Sequence, residues 1–111
     1  MRKTLALFAL SAITALAGEM TGYISDDKCA SASSKAAAAK EWIKPAAFEA
    51  CVKKCVKEGS AVVFVTEDNK ILKIDAESMK KIEPHLGHKV VINGTADGGT
   101  LKVESIRSIP M

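Results

Sequence analysis

Aromatic residues are scarce in this chain: Phe, Trp and Tyr make up 5% of its 111 residues, although 48% are hydrophobic. Without aromatics interleaved with basic residues there is no platform on which nucleic-acid bases would stack, and no nucleic-acid partner is expected. Long apolar runs are also missing. Nothing after residue 17 approaches the roughly 20 apolar residues of a spanning helix, so no transmembrane segment is expected in the mature chain. The sequence holds no G-x-S-x-G elbow, phosphate-binding loop or H-E-x-x-H pair, and on that ground the protein is not expected to be an enzyme. Cysteine and histidine number only three and two, with no C-x-x-C and no C-x-x-C-H.

The first residues have a recognisable order. Met1-Arg2-Lys3-Thr4 is a short basic start, Leu5 to Leu16 is apolar, and Ala15-Leu16-Ala17 puts small residues where a signal peptidase reads. Residues 1–17 are therefore expected to be a signal peptide, and residues 18–111 a single periplasmic or secreted domain. Removing 17 of 111 residues would leave 94 and, with Arg2 and Lys3 gone, lower the formal charge from +3 to +1. A polyanion partner loses its electrostatic basis. One local excess survives in Lys35, Lys40, Lys44, Lys53, Lys54 and Lys57 against Glu41, Glu49 and Glu58, which reads as a solvated helix face.

Period and punctuation divide the rest. Glu19 to Asp26 reads as a strand with a bulge or bend at Gly22. Asp26 and Asp27 turn the chain or, as an alternative, offer a cation site, and Cys29 opens a loop rich in Ala and Ser. A helical insertion is expected over about residues 34–58, with Lys35 to Ile43 in one piece and a second piece entered at Pro45. Phe48, Cys51, Val52, Cys55 and Val56 share one face of that second piece, and Gly59 ends it. Ala61 to Thr66 and Lys70 to Asp75 form a hairpin, Glu77 to Ile82 a short helix, and Pro84, Gly87, His85 and His88 a loop. His88 to Thr95 and Thr100 to Ile106 form a second hairpin around Ala96-Asp97-Gly98-Gly99. Trp42 and Tyr23 are expected to anchor the helices against the strands.

The order of three strands, a helix and two strands matches a mainly β fold, a five-stranded OB-fold-like barrel, with the helical insertion between strands 1 and 2. Three segments also carry a resemblance: Gly22 to Cys29 (G-Y-I-S-D-D-K-C), Cys51 to Gly59 (C-V-K-K-C-V-K-E-G), and the ending G-H-K-V-V-I-N-G-T with L-K-V-E-S-I. They resemble small exported bacterial OB-fold-like proteins of uncharacterised function. The resemblance implies a periplasmic or secreted domain and carries over no catalytic residue. Such proteins often have a histidine between the first cysteine and the cysteine pair, whereas Ala30 to Ala50 has none.

Three cysteines in an exported protein suggest one disulfide and one leftover thiol, the latter able to link two chains into a dimer. Cys29 bridged to Cys51 or Cys55 would close a loop of about 20 to 25 residues and contribute roughly 3 kcal/mol. Spacing leaves the partner open. The alternative is a metal site in which Cys51 and Cys55, one helical turn apart, converge with Cys29 and with His85 or His88 to hold zinc or copper(I). The leading expectation is a non-enzymatic exported binding module without a cofactor, stapled by a disulfide, its partner an unknown small ligand or an envelope protein.

Overall fold

The computed structural model describes residues 15–33, 43 and 45–111. Most of the expected leader and all but the last residue of the helix expected over Lys35 to Ile43, Trp42 included, lie outside them.

The longest strand serves two neighbours. β1 (Ala15–Asp26) pairs antiparallel with β4 (Lys89–Asp97) from Ala15↔Asp97 to Tyr23↔Lys89, and with β2 (Val62–Thr66) from Gly22↔Thr66 to Asp26↔Val62. Gly22 lies where the two pairings overlap. A Cβ there would run into the Val65 carbonyl and the Phe64 ring, so only glycine lets β1 pass between partners at this distance. β3 (Ile71–Ile74) is antiparallel to β2, and β5 (Thr100–Ile109) is antiparallel to β4. A short parallel contact, Lys73↔Thr100 and Ile74↔Leu101, joins β3 to β5 and closes the ring in the order β1-β2-β3-β5-β4. Closure leaves the five strands paired on both sides and protects their edges. Gly98 (φ 60) and Gly99 (φ 84) make the tight turn between β4 and β5, where two successive positive φ values favour glycine.

Alternation along the strands builds two apolar layers. Ile24, Val62, Phe64, Val90, Ile92, Leu101 and Val103 fill the inside of the ring, together with Ile82. Tyr23, Val63 and Val65 point the other way and pack with Ala30, Ile43, Phe48 and Val52. β2 is thus buried on both faces, which is why its sequence is the unbroken run V-V-F-V. The outer layer is covered by two helices, α1 (Asp27–Ser33) and α2 (Pro45–Lys57). Phe48 and Val52, one turn apart on α2, supply its hold on the sheet; burying each contributes about 1.5–3 kcal/mol. Phe48 meets the Tyr23 ring edge to face, with centroids 6.3 Å apart.

Between β3 and β4 a 3-10 turn (Ala76–Ser78), the short helix α3 (Met79–Ile82) and a second 3-10 turn (Glu83–His85) run on from one another. The Asp75 carboxylate caps the first by accepting from the Glu77 N–H at 3.0 Å, and Ser78 Oγ accepts from the Val103 N–H at 2.8 Å.

Four expectations are corrected. The segment from Cys29 is helical rather than a loop, because Asp26 caps a helix that starts at Asp27, ahead of the expected insertion. Pro84 and His85 lie in a 3-10 turn rather than an open loop. Ile43 stands outside any helix, as a buried residue of the outer layer. β1 begins at Ala15 rather than Glu19, and β5 runs on to Ile109, because each follows the full length of β4.

Gly22→Ala is expected to destabilise the chain by about 1–3 kcal/mol, since the added methyl meets backbone as well as a ring. Chemical denaturation checks this, and an unchanged midpoint would contradict it.

Candidate metal centre

The centre begins with the last residue of β1. Asp26 is fully buried, and its Oδ2 accepts hydrogen bonds from the Cys29 N–H at 3.0 Å and from the Ser60 hydroxyl at 3.1 Å. The first is the bond an N-cap makes to the third residue of its helix. Ser60 Oγ in turn accepts from the Lys28 N–H at 3.2 Å, and the Asp27 N–H donates to the Ala61 carbonyl at 2.8 Å. Ser60 is brought there by the end of α2. Its N–H donates to the Cys55 carbonyl at 3.0 Å while the Gly59 N–H donates to Val56 at 3.0 Å, the paired bonds of a Schellman motif, with Gly59 at φ 106. The start of α1 and the end of α2 are therefore knitted together.

This junction sets Cys29 against Cys51 and Cys55. Cys29 Sγ lies 3.8 Å from each of the other two, and all three sulfurs fall within 4.8 Å of one another. None of these contacts is a disulfide, whose S–S bond is about 2.05 Å, and all three cysteines are free thiols. No pair of these sulfurs is at the bonding distance of the expected staple, and the two helices are joined by the Asp26 and Ser60 hydrogen bonds. Cys51 is exposed and Cys29 and Cys55 half-buried, so the pair on α2 flanks the apolar face of Phe48 and Val52 instead of packing within it. An open groove of about 450 Å³, lined by Lys28, Glu58 and Ser60, has Cys55 in its wall.

Cys29 and Cys55 sit in an environment that disfavours lone thiolates. Partial burial pushes Cys29 strongly up, reinforced by its contacts with Cys51 and Cys55 and by the Asp26 carboxylate. Burial also raises Cys55, with Asp26 and Cys51 adding to it against the contact with Cys29, which lowers it. Asp26 carries a second tension: its Oδ1 is buried and has no hydrogen-bond partner. A cation among these groups relieves both, by replacing thiol protons and by offsetting the carboxylate. The spacing fits as well, because two sulfurs each about 2.3 Å from a tetrahedral zinc stand ~3.8 Å apart.

The histidines go elsewhere. His85 Nδ1 and His88 Nδ1 both meet Ser108 Oγ, at 2.7 and 3.0 Å, and His88 Nε2 lies 3.3 Å from Glu49 Oε2. Glu49 also accepts from Lys53 Nζ at 2.6 Å, and Lys53 followed by His88 holds its carboxyl below the usual range. At about 100° per residue, Glu49 and Lys53 occupy a different flank of α2 from Cys51 and Cys55. The expected Cys3His set is not assembled: the cysteines come together, and His85 and His88 join β5 to α2. Burial pushes the His85 imidazole below its ordinary 6.5, with His88 adding to the effect. Tyr23 takes its expected anchoring place, with Lys89 Nζ 5.7 Å above its ring. The sequence reading missed Ser60, whose serine after a helix-ending glycine was its only signal, and the Glu49–His88–Ser108 link, for which nothing local gave notice.

Compared with family models, curated proteins and solved structures, the chain matches none.

Two outcomes follow from this geometry. Asp26→Ala is expected to cost about 1–3 kcal/mol and to speed alkylation of Cys29, since α1 loses its cap and its tie to Ser60; equal stability and equal alkylation rates would contradict the assigned role. For His85, the folded state favours the neutral ring, so the unfolded chain binds more protons just below pH 6.5 and stability falls as the solution is acidified through that value. His85→Gln should show a shallower loss of Tm between pH 7.5 and 5.5 than the parent. Parallel curves would remove His85 as the cause.

Proposed function

We propose that this protein is an exported, non-enzymatic binding module with an OB-fold-like barrel, whose bound species is a thiophilic metal ion, zinc or copper(I), held by Cys29, Cys51 and Cys55. The observation that carries the reading is the convergence of three unbonded sulfurs from two helices within 4.8 Å. Three thiols so placed suit soft and borderline cations, which thiolate ligands select.

Several features support the metal as a bound species rather than a prop for the fold. The inner layer of Ile24, Phe64, Ile82, Ile92 and Leu101 is complete without it, and the cysteines belong to the two helices laid on the outer layer. Structural zinc sites close four ligands around the ion, whereas three ligands leave a position open. The groove beside Cys55 is open to solvent. Export is compatible with the strand arrangement: a chain cut after Ala17 keeps the pairing from Gly18↔Gly94 to Tyr23↔Lys89 and all of the pairing to β2.

Titration of the reduced full chain with zinc or copper(I), read by native mass spectrometry, is expected to give one ion per chain. The three thiols should resist alkylation until a chelator is added, and Cys29→Ser should weaken binding by more than roughly tenfold. A mass unchanged by either ion, with alkylation rates indifferent to metal, would overturn the reading.

A further inference from the structure

We infer that the three thiols also form a thiol–disulfide exchange centre: a small-molecule disulfide is reduced at Cys51, Cys29 closes a bond to one of the two cysteines of α2, and the oxidised chain releases its ion. The exchange stands on the cysteine geometry by itself; only its consequence for the ion rests on the metal reading above.

Three cysteines allow three pairings, and the helices exclude one. Cys51 and Cys55 lie one turn apart within α2. Side chains so spaced have Cβ atoms about 5–6 Å apart, whereas a disulfide needs about 3.5–4.5 Å, so a Cys51–Cys55 bond would require α2 to unwind. Cys29 comes from α1 and is free of that constraint. Its Sγ stands 3.8 Å from Cys51 Sγ and 3.8 Å from Cys55 Sγ. Every disulfide of this cluster therefore contains Cys29, with two partners at the same distance and a third sulfur left beside the bond. That is an arrangement for exchange more than for a fixed staple. The helices are already joined by the Asp26 and Ser60 hydrogen bonds and by the packing of Phe48 and Val52, so open and closed forms share one fold.

Exposure sets the order of events. Cys51 is exposed while Cys29 and Cys55 are half-buried, so an incoming disulfide R–S–S–R meets Cys51 first. The Cys51 thiolate attacks one of its sulfurs, the S–S bond breaks, and the first R–S⁻ leaves and takes a proton from water. Cys29, giving up its own proton, then attacks Cys51 Sγ and expels the second R–S⁻. Two protein thiols have lost two electrons and two protons, and R–S–S–R has become two R–SH. Burial and the Asp26 carboxylate oppose a thiolate at Cys29, so this second step is the slow one, and its uncharged product suits the place. Cys55, within 4.8 Å of both sulfurs, then attacks Cys29 Sγ, which moves the bond to Cys29–Cys55 and returns the Cys51 thiol to the surface. Either bond takes two of the three sulfurs from the ion.

The test treats the reduced, metal-free chain with oxidised glutathione and follows it by mass spectrometry. A transient glutathione adduct is expected, then a mass two hydrogens below the reduced chain with one alkylatable thiol. Peptide mapping is expected to find Cys29–Cys51 or Cys29–Cys55 and no Cys51–Cys55. Cys29→Ser is expected to keep the adduct, with internal closure slowed by about tenfold or more. The mapping needs no variant and so decides the matter even if Cys29→Ser fails to fold. On the zinc-loaded chain, closure is expected to release one ion per chain to a chromogenic chelator. A mapped Cys51–Cys55 bond, a lasting adduct on the parent, a disulfide-linked dimer as main product, or closure of Cys29→Ser at the parent's rate would each overturn the exchange and leave the metal reading standing. A zinc-loaded chain that closes its disulfide and keeps its ion would overturn the switch. A parent that binds neither zinc nor copper(I) yet closes the disulfide would overturn the metal reading and leave the exchange standing.

Discussion

The buried carboxylate of Asp26 is the interaction on which the arrangement of this molecule's cysteines depends. It terminates β1, caps α1 through the Cys29 N–H, and reaches across to Ser60 beyond the end of α2. The β1–α1 junction and the residue beyond α2, 34 positions apart in sequence, meet on one oxygen. Because charge-assisted hydrogen bonds are stronger than neutral ones, this junction sets the relative placement of the two helices within narrow limits. Convergence of Cys29 with Cys51 and Cys55 is a consequence of it. The same carboxylate opposes ionisation of Cys29 and Cys55, so the junction holds a negative charge and two reluctant acids in one half-buried place. A metal ion answers both conditions at once.

Beneath that junction lies a division of labour between two apolar layers. The ring closes around Phe64, Ile24 and their neighbours, while the opposite faces of β1 and β2 are left apolar and are covered by Phe48, Val52 and Ala30. Doubly buried strands of this kind need helices on their outer side, and those helices are where the chemistry sits. The fold therefore separates the inner apolar layer of the ring from the helices that carry the three cysteines.

Much of this was legible in the sequence. Strand order and the short helix before β4 followed from alternation and from the glycine turns, and the apolar face of α2 followed from the spacing of Phe48, Val52 and Val56. Other features were not legible, for physical reasons. α1 was hidden because Asp-Asp-Lys-Cys-Ala-Ser reads as turn-forming residues; only burial of the Asp26 side chain makes it a cap instead of a solvated turn. Cys51 and Cys55 read as part of the apolar face, since one-turn spacing does not separate the centre of a helical face from its flank. The convergence of all three sulfurs was not legible either, because counting cysteines carries no information on the distances between their sulfurs. The histidines entered only the alternative metal reading, by residue type alone, and their partners, Ser108 and Glu49, lie too far along the chain for any local pattern to show.

The central claim is that the three thiols form one metal centre. X-ray absorption at the zinc edge of the reduced chain loaded with one equivalent of zinc tests it most directly. The account predicts a first shell of three sulfurs and one oxygen at tetrahedral distances, about 2.3 Å and 2.0–2.2 Å. A first shell of nitrogen and oxygen without sulfur would contradict it.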